Sequence, residues 1–263
     1  MTGYVIRGGE PGYDRLLVLA RDRWADTRAL LERAGVRAGM RCIDIGCGGG
    51  AVALELARLV APGGTVEGID ADEVKLALAR RVAAERQLGN VEFTELDVRD
   101  WDEPGGYDLV YSRFLLQHLS DPGSLLRRMW AAVAAGGVLI VEDADFDGWC
   151  CDPPNEAFEQ FLDTYRHLLA RRGGDHAFGR KLYRGALAAG IPDPQVRLVQ
   201  SVHHGEAKML ASSTLEATAE AAIEAGLATK DQITATLASL RQFSDDPRTL
   251  ICGPRVFQLW ARR

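Results

Sequence analysis

The sequence predicts an α/β protein: a doubly wound, mostly parallel sheet of seven strands, with helical insertions capping one end. Three observations carry that expectation. Short apolar runs alternate with helical stretches from Arg41 to Glu142, as strands and crossover helices do in a parallel sheet covered on both faces. A glycine-rich turn, Gly46-Cys47-Gly48-Gly49-Gly50, joins the first of those runs to a helix. After Asp143 the alternation gives way to long helical segments.

The elements follow in order. Residues 1–34 read as a glycine-rich arm and a helix from Asp14 to Ala34, stopped by Gly35. Arg41–Ile45 is the first strand, the glycine turn follows, and a helix covers Ala51 to Val60. Thr65–Ile69, Val91–Glu95, Tyr107–Tyr111 and Val138–Glu142 are the next four strands, with helices over Glu73–Gln87 and around Ser124–Val133 between them. Asn155–Arg171 and Lys181–Ala189 have helical spacing, Gln195–His203 alternates like a strand, and residues 207–243 form two helices parted near Gly226. Val256–Ala261 closes the chain as a seventh strand. Residues 35–263 are therefore expected as one domain, with segments 144–194 and 205–246 capping its site, since neither shows a core of its own.

Composition narrows the function. With 263 residues, 47% hydrophobic and 26% charged, the chain is neither disordered nor fibrous. A net charge of -6 argues against bulk attraction to nucleic acid or an anionic membrane. There is no apolar signal core and no membrane-length apolar run. Five cysteines without a CxxC pair suit neither a disulfide framework nor a zinc site. The expectation is a cytoplasmic protein acting on a small molecule, with a homodimer left open.

The most informative segment is Cys42-Ile-Asp44-Ile-Gly46-Cys-Gly48-Gly-Gly-Ala51. Glycines let backbone approach a ligand that a Cβ would repel, and the helix start offers free N–H groups. Asp70 lies 24 residues after Gly46, at the end of the second strand, where a carboxylate can accept both hydroxyls of a ribose. Two ligand classes fit the turn: a dinucleotide, through Gly46-x-Gly48-x-x-Ala51, and S-adenosyl-L-methionine. Asp44, just before the glycines, suits a cation and repels a pyrophosphate.

Five blocks then bear a family resemblance. Met40-Arg-Cys-Ile-Asp44-Ile-Gly46-Cys-Gly48-Gly-Gly50 resembles motif I of the class I S-adenosylmethionine-dependent methyltransferases. Val66-Glu-Gly-Ile-Asp70 resembles their ribose-binding strand, and Val91-Glu-Phe-Thr-Glu-Leu-Asp97-Val98 the segment that sets an acid by the adenine amino group. Tyr107 to Leu119 and Ala135-Gly-Gly-Val-Leu-Ile-Val-Glu142 resemble the fourth- and fifth-strand blocks, with Ala135 where the family usually has proline. The closing Val256-Phe-Gln-Leu-Trp260-Ala is similar to the family's last, antiparallel strand. The chain thus resembles bacterial small-molecule methyltransferases related to quinone C-methyltransferases. The resemblance implies a Rossmann-like sheet with its last strand antiparallel. It assigns the cofactor to Asp44, Gly46, Cys47, Gly48, Asp70, Ala71, Asp97, Val98, Ser112 and Arg113, with an N-terminal tyrosine, Tyr4, against it.

Methyl transfer needs alignment and, for a protonated nucleophile, a base. His118, His167 and His176 are candidate bases, each weighed against a packing or surface role. Phe114, Asp143, Asp145, Phe146, Trp149, Tyr165 and His203 are expected to line the substrate pocket. Trp101 and Phe114 are placed to flank the adenine. Asp143, Asp145 and Asp147 leave the fifth strand together, but Ser112-Arg113 stands where metal-dependent relatives carry an acid, so no metal is expected. The acceptor atom (O, N or C) stays open. So do two alternatives: a protein that binds S-adenosylmethionine without transferring methyl, and an NAD(P)-dependent oxidoreductase. Ser112-Arg-Phe-Leu115 lacks the Asn/Asp-Pro-Pro-Tyr/Phe block used on exocyclic amines of nucleic acids.

Overall fold

The structure, a computed structural model, describes residues 10–102 and 105–263, with side chains from Arg15 onward. Tyr4 lies outside the described residues. In chain order the elements are α1 (Glu10–Arg33), β1 (Arg41–Ile45), α2 (Ala51–Leu59), β2 (Thr65–Asp70), α3 (Glu73–Glu85), β3 (Val91–Glu95), β4 (Tyr107–Arg113), α4 (Pro122–Ala132), β5 (Val133–Asp145), β6 (Cys150–Asp152), α5 (Glu156–Arg171), α6 (Leu182–Ala188), β7 (Gln195–Val199), β8 (Val202–His203), α7 (Leu210–Glu224), α8 (Lys230–Asp245), β9 (Leu250–Cys252) and β10 (Arg255–Arg262).

Seven strands form the main sheet in the order β3-β2-β1-β4-β5-β10-β7. All run parallel except β10, which is antiparallel to both β5 and β7. Strand order reverses between β1 and β4, so the carboxyl ends there open a crevice. Apolar side chains explain the layers. The central strands are buried on both faces. Leu30, Leu31, Leu54, Leu56 and Leu76 cover one face from α1, α2 and α3, while Leu125, Leu126, Met129, Leu182 and Ala186 cover the other from α4 and α6.

A third apolar cluster lies beyond the carboxyl ends. Phe158, Phe161 and Leu169 of α5 meet Leu215 of α7 and Leu240 and Phe243 of α8, together with Phe146 and Trp149. The two capping segments thus share one core, which neither could supply alone.

Several boundaries differ from the sequence expectation. α6 sits within the 144–194 cap segment by sequence, yet its Leu182 and Ala186 pack on the sheet, because their apolar stripe meets that of α4. The single strand expected over Gln195–His203 breaks at Gln200. β7 stays on the edge of the main sheet, while β8 joins β6 and β9 in a separate three-stranded sheet under the cap. β5 runs on to Asp145, so Asp143 and Asp145 lie within the strand and are fully buried. Among the described residues no helix is long and apolar enough to cross a membrane.

Candidate functional site

A cavity of about 1150 Å³ opens over the carboxyl ends of β1, β2, β4 and β5, between the sheet and the cap. That volume slightly exceeds the usual range for one small-molecule pocket, roughly 300–1,000 Å³.

The turn after β1 forms one end of it. The N–H groups of Gly46 and Cys47 donate to Ile69 O at 2.8 and 3.0 Å, pinning the turn to β2. Gly46 has φ 73°, a left-handed conformation, and a Cβ there would come 2.9 Å from Leu115. Asp70 accepts from Gly48 N at 2.8 Å and from Asp72 N at 3.0 Å, so this carboxylate shapes the turn as well as facing the cavity. α2 begins at Ala51; its N-cap Gly50 has no side chain to cap it, and the Asp44 carboxylate accepts from Ala53 N–H in its first turn.

Cys47, Ala71, Asp97, Val98 and Arg113 line the same end. Asp97 is paired with Arg99, whose guanidinium holds its carboxyl below the usual range. Burial pushes the Cys47 thiol well up, so it lines the wall as a neutral group. Arg113 Nη1 donates to Thr27 Oγ1 at 3.1 Å. Asp44 is 2% exposed, and burial pushes its carboxyl up to about 7, against the pull of Arg113. Ser112 does not reach the cavity. It is buried, and its hydroxyl donates to Ile45 O at 2.8 Å, tying β4 to β1.

The glycine turn, the carboxylates beside it and the buried Asp44, which titrates at about 7, fit a cationic adenosine cofactor. Of the carboxylates lining the cavity, Asp44, Asp70, Asp72, Glu73 and Asp97 lie on or just after β1, β2 and β3, and Asp121 caps α4.

The cap-side wall is aromatic. Phe146 stacks on Tyr165 with ring centroids 4.7 Å apart, and Trp149 meets Phe161 edge-on at 5.2 Å. Phe146, Trp149, Tyr165 and Phe114 line the cavity, while Phe158 and Phe161 fill the core behind them. Phe114 takes a left-handed φ of 57°, the sort of local strain that tends to sit at functional sites.

Two expected pocket residues, and one expected against the adenine, are elsewhere. Asp143 accepts from Gln117 N and Ala144 N at 3.1 and 2.9 Å, capping the turn after β4; burial pushes its carboxyl up to about 7. Asp145 faces Arg180 and Arg255 on the far side of the strand. Trp101 packs in the core under α4 rather than against the cavity.

The histidines divide. His167 is exposed, its Nδ1 2.7 Å from Asp163 O, and His176 pairs with Asp147 at 3.1 Å; neither lines the cavity. His118 does, but burial, aided by Arg15 and Lys75, pulls its pKa down to about 3, a poor value for a base at neutral pH. His203 also lines the cavity. It is 5% exposed, and its Nδ1 lies 3.3 Å from Asp22 Oδ1.

The sequence reading missed α1 as a wall. Leu16, Leu19 and Arg23 face the cavity, and Arg15 reaches across to Thr214 of α7 at 3.0 Å. A signal was present: Arg23 falls in register with Thr27, Leu30, Leu31 and Ala34 on the buried stripe of the helix, where a charged residue needs a reason.

Comparisons with known proteins agree with this geometry. Residues 37–172 match the family described as Methyltransferase domain. A ubiquinone biosynthesis O-methyltransferase of Acinetobacter baylyi is 35% identical over 119 residues, 44% of this chain and 47% of that protein. The chain spans about half the length of the curated relatives it matches. Among solved structures, phosphoethanolamine N-methyltransferase 2 of Haemonchus contortus in complex with S-adenosyl-L-methionine superposes with a TM-score of 0.57 at 19% identity, covering 91% of this chain and 52% of that one. The cyclase SpnF superposes with a TM-score of 0.55 at 21% identity, covering 92% and 80%. Such identities speak for the fold alone. With the family match over the sheet, the glycine turn and the acids that follow it, the chain belongs to the class I S-adenosylmethionine-dependent methyltransferases.

Proposed function

We propose that this protein transfers the methyl group of S-adenosylmethionine to a small organic acceptor held under the cap. One observation carries the reading: a single cavity has carboxylates and a glycine turn at one end and an aromatic wall at the other.

The bound cofactor supplies an activated methyl on a sulfonium. In this reading Asp70 accepts from the ribose hydroxyls, Asp97 and Val98 border the adenine, and Gly46, Gly48 and Asp44 receive the methionyl end. Cys47, Ala71 and Arg113 complete the wall. Phe146, Trp149 and Tyr165 orient a flat acceptor and exclude water. Alignment of this kind contributes roughly 7–11 kcal/mol in favourable cases. Where the acceptor must lose a proton, His203, its ring steered by Asp22, is the group with the geometry to take it. The five free thiols suit a reducing compartment, the cytoplasm.

The test is incubation with methyl-labelled S-adenosylmethionine and fractionated small metabolites. Label entering a small molecule supports the reading. Label remaining on a cofactor that binds well would instead indicate a protein that holds S-adenosylmethionine without transferring its methyl.

A further inference from the structure

Arg23 has no task in the account so far, and its setting is unusual. The side chain is 2% exposed and lines the cavity. Its Nε lies 3.0 Å from Asp22 Oδ2, but Nη1 and Nη2 meet no hydrogen-bond acceptor among the described residues. A buried guanidinium with idle donors is costly unless something accepts from them. Asp22 and Asp26 supply nearby negative charge, but neither accepts from Nη1 or Nη2. Glu142 accepts from Thr27 at 2.9 Å, from Gln258 at 2.8 Å and from Tyr111, and Asp22 faces His203.

Further idle groups belong to residues lining the same cavity: Trp149 Nε1 and His203 Nε2 on the cap side, and Gln117 Oε1 and Arg128 Nε after β4 and on α4. Arg23 Nη2 and His203 Nε2 come together over the Gly253 Cα. A methyl group built on Gly253 would lie 2.6 Å from Arg23 Nη2 and 3.0 Å from His203 Nε2. Gly253 precedes β10, which lies two strands beyond β4, whereas the glycine turn, Asp70 and Asp97 end β1, β2 and β3 on the opposite half of the sheet. Arg23, His203 and Trp149 therefore belong to the acceptor's end of the cavity. With Nδ1 donating to Asp22, His203 Nε2 carries a lone pair. The His203 hydrogen bond and the Arg23 charge hold Asp22 below the usual carboxylate range despite its burial, so it remains an anion opposite the ring.

We propose that the acceptor is a phenol whose oxygen sits between His203 and Arg23, His203 taking its proton and Arg23 holding the resulting phenolate. This rests on the methyl-transfer reading. The phenol O–H bond breaks, its electron pair stays on oxygen, and the proton bonds to Nε2; the imidazolium formed is balanced by Asp22. A C–O bond then forms to the methyl carbon as the S–C bond breaks and its electron pair goes to sulfur. The proton leaves His203 for water once product has departed. The aromatic wall of Phe146, Trp149 and Tyr165 suits the aryl ring.

The experiment uses the full chain saturated with S-adenosylhomocysteine, and 4-nitrophenol and 7-hydroxycoumarin as probes whose phenolates absorb at longer wavelength. At a pH below each probe's own pKa, adding protein should raise the phenolate band, with an apparent pKa drop of about one unit, a tenfold shift in ionisation. Arg23→Met should abolish the rise while S-adenosylhomocysteine affinity changes less than about twofold, and Arg23→Lys should keep part of it. Should Arg23→Met fail to fold, Gly253→Ala serves in its place, because its Cβ intrudes between the two side chains. The proposal is overturned if the loaded wild type raises no phenolate band, if the rise survives Arg23→Met, or if that variant loses S-adenosylhomocysteine about tenfold instead. Benzoate binding through Arg23 without a phenolate rise would also overturn it, pointing to a carboxylate acceptor. Failure of the wild type to bind S-adenosylhomocysteine at all would overturn both this and the methyl-transfer reading.

Discussion

Asp44 carries the sharpest consequence at the scale of one residue. Burial holds its carboxyl near 7, so below that pH it is largely protonated. A sulfonium cofactor favours the ionised form, and binding at lower pH must release a proton. Affinity for S-adenosylmethionine should therefore rise with pH up to about 7 and then level off, with a limiting slope of about tenfold per pH unit on the acid side. Calorimetry across that range checks the slope, and Asp44→Asn should flatten it. Asp143, pushed up to about 7 as well, faces away from the cavity and should affect stability instead. The native chain keeps the proton that the unfolded chain gives up near pH 4, so the Asp143 contribution falls as pH rises from about 4 to about 7. Gly253→Ala makes a second prediction at this scale. The backbone there is not left-handed, so folding should survive, but the new Cβ displaces Arg23 and His203. We expect kcat/KM for the acceptor to fall about tenfold or more, with S-adenosylhomocysteine binding retained.

Among the elements, legibility followed how local the cause was. β1 to β4, the glycine turn and the helices between them could be read because apolar period and glycine placement act within a few residues. β9 could not: three residues, Leu250–Cys252, become a strand only because Cys150–Asp152 and Val202–His203 come to lie beside them. The break at Gln200 has the same origin. Asp143 and Asp145 are expected in the pocket beyond the fifth strand, but a strand's end is set by pairing, here with Phe257 and Arg255 of β10. Most residues of the glycine-turn end of the cavity were legible, since they follow the strands in register. The acceptor end was not, because α1, β8 and the turn before β10 meet there from opposite ends of the chain. The shared cap core yields its own prediction. Phe161 of α5 is fully buried against Trp149, and Phe161→Ala should cost about 3–5 kcal/mol in chemical denaturation. Because that loss loosens the aromatic wall and spares the glycine turn, KM for the acceptor should rise while cofactor affinity holds.

Over the whole molecule, charges of both signs meet in the cavity. Six carboxylates and eight arginine or lysine side chains line it, and Lys75 and Arg99 pair with Asp72 and Asp97 among the acids near the glycine turn. In the proposed function, Asp44, Asp70 and Asp97 face the cationic cofactor and the aromatic wall faces the acceptor. The central claim is that the glycine-turn end binds S-adenosylmethionine through Asp70. Titration calorimetry with S-adenosylhomocysteine, on wild type and Asp70→Ala, tests it most directly. Stoichiometric binding by wild type, weakened about tenfold or more in a variant that still unfolds cooperatively, is the predicted result. An absence of binding by wild type, or equal affinity in the variant, would contradict it.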